Sequence, residues 1–225
     1  MAKVGLVSGP VKPRPYRSLK RQAQAAATRT AVLQAARALF SDRGYAATTV
    51  AAVAQRAGVV VDTVYTAVGR KPQLLIALVD EALAGRARAT PAAELTTAEE
   101  RDYVRAIHEA PTASAKLATY AAALARLQAD VVPLVAALRQ AAASDESALQ
   151  AWQGLGQRRA DNMLRLAAEL RATGELRDDL DDRQVADVLW TTNAPEYLEL
   201  LAARGLDDAG IERLLRDLWI RVLLR

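Results

Sequence analysis

The stretch AATTVAAVAQRAGVVVDTVYTA, residues 46–67, decides the fold. It holds two short runs with apolar residues at helical spacing, parted by Gly58. The first run opens at Thr48-Thr49, hydroxyl residues suited to cap a helix N-terminus, and its buried stripe is Val50, Val53, Ala54 and Ala57. Gly58 ends it, because a tight turn needs a residue that tolerates positive φ. Val59 plugs the core from the turn. The second run, from about Val61 to Ala67, is anchored from beneath by Val64, which leaves Val61, Asp62, Thr63 and Thr66 on other faces. A helix this short is unstable alone and must be held by its neighbours. Two short helices joined in this way read as a helix-turn-helix.

The surrounding sequence supplies those neighbours. Upstream, Leu19 to Phe40 carries Val32, Leu33, Ala36, Leu39 and Phe40 on one helical face, and Gly44 stops the run in the C-cap role. Downstream, Gly69 ends the third helix. Pro72 stands in the first turn of a fourth, where its missing N–H costs nothing. That helix carries Leu74, Leu75, Leu78 and Val79 and fades near Gly85. The periodicity then predicts helices over Glu99–Glu109, Ser114–Gln128, Ala129–Ala143, Ser147–Thr173, Asp182–Thr192, Glu196–Arg204 and Asp208–Leu224. The expected fold is all-α. A flexible basic arm over 1–18 precedes a helix-turn-helix domain over 19–85, with a linking helix at about 71–85. A helical domain follows over 86–225.

Composition narrows the function classes. The 225-residue chain is rich in Ala, Leu, Val and Arg and only 4% aromatic, which favours helices over a β-sandwich or barrel. It has no cysteine, which excludes disulfides and thiolate metal sites and fits a cytoplasmic location. The N-terminus has no long apolar h-region and does not read as a secretory signal. No run of about 18 apolar residues stands out, so no membrane span is expected. There is one histidine, and no P-loop, GxGxxG or HExxH motif, so the chain is expected to be no enzyme and to need no cofactor. The acidic run Asp178-Asp179-Leu180-Asp181-Asp182 is expected to solvate a loop and cap the next helix rather than to hold a metal.

Charge is unevenly placed. Residues 1–71 hold twelve Lys/Arg against two acids, and the remainder holds 18 against 24. A basic N-terminal third is the electrostatic footprint of a segment that meets phosphates.

Residues 32–75, VLQAARALFSDRGYAATTVAAVAQRAGVVVDTVYTAVGRKPQLL, resemble the N-terminal domain of the TetR/AcrR family. The resemblance lies in Ala35, Ala36, Leu39 and Phe40, Gly44-Tyr45, Thr48-Thr49-Val50, Val53-Ala54, Ala57-Gly58-Val59, Thr63-Val64-Tyr65, Lys71 and Leu74-Leu75. It implies a regulator that binds double-stranded operator DNA, with Thr48 and Thr49 at a helix N-terminus offering hydroxyl and N–H groups to a phosphate. Tyr65 would hydrogen-bond a phosphate and Lys71 would pair with one. Val60, Val61, Asp62, Thr63 and Thr66 would face the major groove, the valines touching thymine methyls and Asp62 accepting from a cytosine N4. Arg17, Lys20 and Arg21 would meet the backbone or the adjacent minor groove. The sequence departs from the family pattern at Val60 and Arg70, which stand where a small capping residue is usual, and at Thr66-Ala67-Val68, which replaces larger aromatic neighbours.

For the rest of the chain the resemblance implies a homodimer formed through C-terminal helices and a pocket for an unknown small-molecule effector. The last helix presents Ile211, Leu214, Leu215, Leu218 and Val222 as one stripe, which serves either the monomer core or a four-helix bundle across a two-fold axis. Candidate effector contacts are Trp152, Trp190, Tyr120, Tyr103, His108, Asn162, Met163 and Asn193. Two other readings fit the same residues: a helical small-molecule-binding protein or enzyme with no DNA role, and a DNA-binding dimer that takes no effector. Deletion of residues 1–17 is expected to lower DNA affinity and to flatten its salt dependence, since each lost phosphate contact removes about one released counterion. Anisotropy titrations across a salt series check this, and an unchanged slope would mean that the arm is idle.

Overall fold

The computed structural model describes residues 16–84 and 101–225, with side chains from Lys20 onward. In these residues helix formers build ten helices: α1 (Tyr16–Ala47), α2 (Val50–Ala57), α3 (Val61–Ala67), α4 (Lys71–Leu83), α5 (Asp102–Glu109), α6 (Ala113–Ala142), α7 (Glu146–Ala172), α8 (Asp182–Thr192), α9 (Pro195–Ala203) and α10 (Asp208–Leu223). Most of the basic arm expected over 1–18, the end of the fourth helix near Gly85 and the start at Glu99 lie outside the described residues. Helix α1 starts at Tyr16, ahead of the expected Leu19, and is broken at Gly44 (φ 75°, ψ 168°), the residue expected to stop it.

One expectation is corrected. The helices expected over 114–128 and 129–143 are a single 30-residue helix, α6, so Pro133 lies inside it rather than near its start. A proline there removes one backbone hydrogen bond and crowds the preceding turn, yet packing on both sides holds the helix together. Val132 packs on one hydrophobic core, while Val131, Leu134 and Val135 pack on another. The merged helix is long and apolar enough, over an 18-residue window, to cross a membrane. Here it is the central element of a helical bundle, touching α1, α4, α5, α7, α9 and α10.

The first core joins α1–α4 through Val32, Ala36, Leu39, Val53, Val64, Leu74, Leu75 and Leu78, and it also takes in Val135, Leu138 and Ala141 of α6 and Ala148 and Leu155 of α7. The second core holds Ile107, Leu117, Leu166, Leu170, Val185, Leu189, Leu198, Ile211, Leu215 and Trp219. The two long helices therefore belong to both cores. The stripe of α10 packs inward: Ile211, Leu215, Trp219 and Leu223 are fully buried, and Leu214, Leu218 and Val222 lean on the same core. It serves the monomer, so the exposed apolar side chains of this region lie elsewhere, at Leu164, Trp190 and Leu200.

The acidic run behaves as a loop and cap. Asp181 and Gln184 form a capping box at the start of α8, Arg177 pairs with Asp179 at 2.7 Å, and Arg171 pairs with Asp182 at 2.9 Å. Among the described residues no group of acids and histidine is placed to hold a metal.

Because Leu138 of α6 is fully buried in the core shared with α1–α4, Leu138→Ala is expected to cost about 2–5 kcal/mol. Urea unfolding followed by circular dichroism should show one earlier transition involving both ends of the molecule. An intact N-terminal transition beside a weakened C-terminal one would contradict the shared core.

Candidate nucleic-acid interface and cleft

Each end of the helix-turn-helix is held by a specific bond. Thr49 caps α2, its hydroxyl oxygen accepting from the Ala52 N–H at 3.1 Å. Gly58 takes the left-handed conformation (φ 69°, ψ 30°), and the Val59 N–H then reaches back to the Ala54 carbonyl at 3.0 Å, closing the helix as such a cap does. Val64 anchors α3 with no exposed surface. Arg29 of α1 donates through Nη1 to the Ala67 carbonyl at 2.7 Å, which satisfies the last turn of α3. Helix α3 starts at Val60, whose backbone is extended (φ −82°, ψ 157°) but whose side chain makes no cap. Arg70 likewise gives α4 no side-chain cap.

The expected DNA contacts separate into two groups. Val60 is 69% exposed and Tyr65 48% exposed, and Thr49, Asp62 and Thr66 also face solvent, with Thr63 half-buried beside them. The Thr66 hydroxyl donates to the Asp62 carbonyl at 2.8 Å. Lys20 and Arg21 are exposed on the early turns of α1, and the side chain of Arg17 lies outside the described residues. Thr48 does not belong to this surface. It is 1% exposed, and its hydroxyl donates toward the Gly44 carbonyl at 2.8 Å and the Leu39 carbonyl at 3.2 Å, locking the α1–α2 corner. Val61 packs against the first core, so of the two valines only Val60 stands free.

Lys71 sits at the seam between this surface and the bundle. Its Nζ lies 4.0 Å from the centre of the Tyr45 ring and donates to the Ala46 carbonyl at 3.3 Å. Asp145, which caps α7 by accepting from Ser147 and Ala148 N–H groups, faces both residues electrostatically. Partial burial lowers the Lys71 ammonium, against the opposing pull of Asp145. Burial, with a smaller push from Asp145, raises the Tyr45 hydroxyl to about 12, so this group stays protonated.

A cleft of about 320 Å³ lies between α6, α7, α8 and α9, where the two cores meet. Trp152 and Trp190 line it, with Val135, Leu155, Gly156, Arg159, Thr191 and Glu196. The other effector candidates are elsewhere. Tyr120, Met163 and Asn193 form a buried knot in which Asn193 Nδ2 donates to the Tyr120 oxygen at 2.6 Å, and the Tyr120 ring stacks on Trp219 at 5.4 Å. Tyr103 packs on the second core. Asn162 accepts from Arg165, and His108 pairs with Glu169 at 2.9 Å on the surface. Sequence reasoning missed Arg159. Its position seven residues after Trp152 on one helix, hence on the same face, was the available signal.

Residues 32–78 match the family model described as bacterial regulatory proteins, tetR family. No curated protein matches the chain. Among solved structures, the fatty acid degradation regulator FadR from Bacillus halodurans is 20% identical with a TM-score of 0.64, over 88% of this chain and 97% of that one. FadR from Bacillus subtilis, solved with stearoyl-CoA, is 21% identical with a TM-score of 0.60, over 85% and 97%. SmeT, repressor of the Stenotrophomonas maltophilia multidrug efflux pump SmeDEF, is 20% identical with a TM-score of 0.59, over 91% and 93%. At these identities the likeness is one of fold.

Val60 already has the extended backbone of a capping residue but lacks an acceptor, so Val60→Ser is expected to stabilise the domain by about 1 kcal/mol. A thermal melt reads the gain. A fall in melting temperature would show that the valine side chain has a packing role that its exposure does not reveal.

Proposed function

We propose that this chain, whose residues 32–78 match the tetR family of bacterial regulatory proteins, belongs to that family, represses transcription as a homodimer on a palindromic operator and releases DNA when a small molecule binds. The family consists of DNA-binding transcriptional regulators rather than enzymes. The observation that carries the finer reading is the free face of α3. Val60, Asp62, Tyr65 and Thr66 are exposed there on a helix that its neighbours hold rigidly, and the α1–α4 region also exposes the cations Lys20, Arg43, Arg56 and Arg70. Such a face matches a major groove flanked by phosphates.

In this reading Thr49, Tyr65 and Lys71 position the protein on the backbone, and Val60, Asp62 and Thr63 read bases. One helix-turn-helix reads few base pairs, and a two-fold dimer doubles the site. Leu164, Trp190 and Leu200 support the dimer, since large apolar side chains at 40%, 39% and 66% exposure are ones that a partner copy would cover. Arg183 and Asp187 lie exposed on α8 beside Trp190, and a two-fold axis there lets each copy's arginine meet the other's aspartate. Blocking polymerase needs only occupancy, which favours repression. Ligand response fits the shared first core, because a shift of α6 or α7 is transmitted to α1–α4 as well as through α4. A ligand acts this way only by preferring one of the two arrangements.

Selection from a randomised DNA pool, followed by sequencing of the bound fraction, is expected to recover a palindrome. On that DNA, Lys71→Ala should weaken binding by a similar factor for all sequences and lower the salt slope by about 1. Tyr65→Phe should weaken binding with the slope unchanged. Recovery of no enriched sequence, with binding indifferent to both substitutions, would overturn the DNA-reading role of α3.

A further inference from the structure

Arg159 stands at the middle of α7, half-buried, on the wall of the cleft. Its Nη2 is engaged: it donates to the Trp190 carbonyl at 2.9 Å and to Asn193 Oδ1. The guanidinium carbon lies 5.3 Å from the Trp190 ring centre. Among the described residues Nε and Nη1 have no hydrogen-bond partner, and no carboxylate lies within ion-pair distance. Other sheltered cations of the bundle are matched: Arg101 faces Asp80 at 3.4 Å, Lys116 faces Glu169 at 3.7 Å, and Arg171 faces Asp182 at 2.9 Å. The rim carboxylate Glu196 is already held by Arg139 at 2.9 Å, so it does not neutralise Arg159 at contact distance. Burial lowers the Arg159 pKa, the sign of a charge kept where water serves it poorly.

Keeping an arginine there unpaired costs stability unless an anion completes it. Each of its two remaining donor groups can give a carboxylate a charge-assisted hydrogen bond. Val135, Trp152 and Leu155 give the lining an apolar part, and the indole offers a flat surface. At about 320 Å³ the cleft is at the small end of ligand sites, which fits one or two fused rings and not a long acyl chain.

We propose that the cleft binds a small planar aromatic acid, with the carboxylate accepting from one unpartnered N–H of Arg159, on Nε or on Nη1, and the ring against Trp152, Leu155 and Val135. The role of this acid as effector rests on the ligand-responsive reading above. Its seat is where the two cores meet, so binding bears directly on the ends of α6 and α7 that help to build the DNA-binding core.

The test uses the full chain and three probes of one shape: 2-naphthoate, the neutral 2-naphthamide and the cationic 2-naphthylmethylammonium. Calorimetry and tryptophan fluorescence report binding, with Trp152 and Trp190 lining the cleft. Naphthoate is expected to bind about 10- to 100-fold more tightly than the amide, the span of a charge-assisted hydrogen-bonded contact. The ammonium should bind more weakly than either. In Arg159→Gln the acid and amide should become equal, and in Arg159→Lys part of the preference should return. The wild-type comparison alone is decisive if a variant does not fold. Equal binding of acid and amide in the wild type, tighter binding of the ammonium, an acid preference that survives Arg159→Gln, or no probe binding would each overturn the proposal. Adding naphthoate to the protein bound to its selected DNA separates the two readings. Naphthoate that binds without releasing DNA leaves the cleft assignment standing and removes its effector role. DNA bound normally by a chain that takes no probe removes the cleft assignment and leaves the regulator intact.

Discussion

Val64 has no exposed surface, and its burial is the constraint from which the working end of the molecule follows. Helix α3 has seven residues, too few to hold a helix by its own hydrogen bonds. Everything that keeps it in shape comes from outside: Val64 in the first core, Gly58 turning the chain beneath it, and Arg29 of α1 holding its last carbonyl. With those contacts fixed, Tyr65, Thr66 and Asp62 must point outward, because the remaining face is the only one not used for support.

That first core is not closed by α1–α4 alone. Leu138 and Ala141 of α6 and Ala148 and Leu155 of α7 complete it. The same two helices, farther along, build the second core. Pro133 in α6 and Gly156 in α7 lie between the buried residues of the first core and those of the second. Proline removes a helix hydrogen bond, and glycine weakens a helix by about 1 kcal/mol relative to alanine. Both long helices are thus locally softened along the stretch where the cleft opens.

Electrostatics follow the same division. Around the second core, cations and acids are matched in pairs, and buried polar groups such as Asn193 and Tyr120 satisfy one another. On α1 and α2 the basic side chains stay largely in water, with contacts as loose as Arg56 to Asp42 at 3.8 Å. Exposed pairs of that kind contribute little to stability, so those cations remain available to a polyanion. Arg159 departs from both patterns, sheltered and unmatched at once.

Much of this was legible in the sequence because the signals are local. Gly44, Gly58 and Gly69, the Thr49 cap, Pro72 in the first turn of α4 and the apolar spacing around Val53 and Val64 set the ends and inner faces of the first four helices, and the unequal charge marked the N-terminal third as basic. Other features could not be read along the chain, because each depends on residues far apart in it. Thr48 reads as a surface hydroxyl until the α1–α2 corner folds over it. Pro133 reads as a helix start until two cores grip the helix on either side of it. Tyr120, Met163 and Asn193 read as ligand contacts until they prove to be one another's partners across 73 and 30 residues. Arg159 looks like any other helical arginine until the fold withholds a carboxylate from it. Helix ends are fixed by dihedral preferences and neighbouring hydrogen bonds, so the sequence determines them. Whether a polar group is free or already satisfied depends on which distant elements pack against it, and that only the tertiary structure decides.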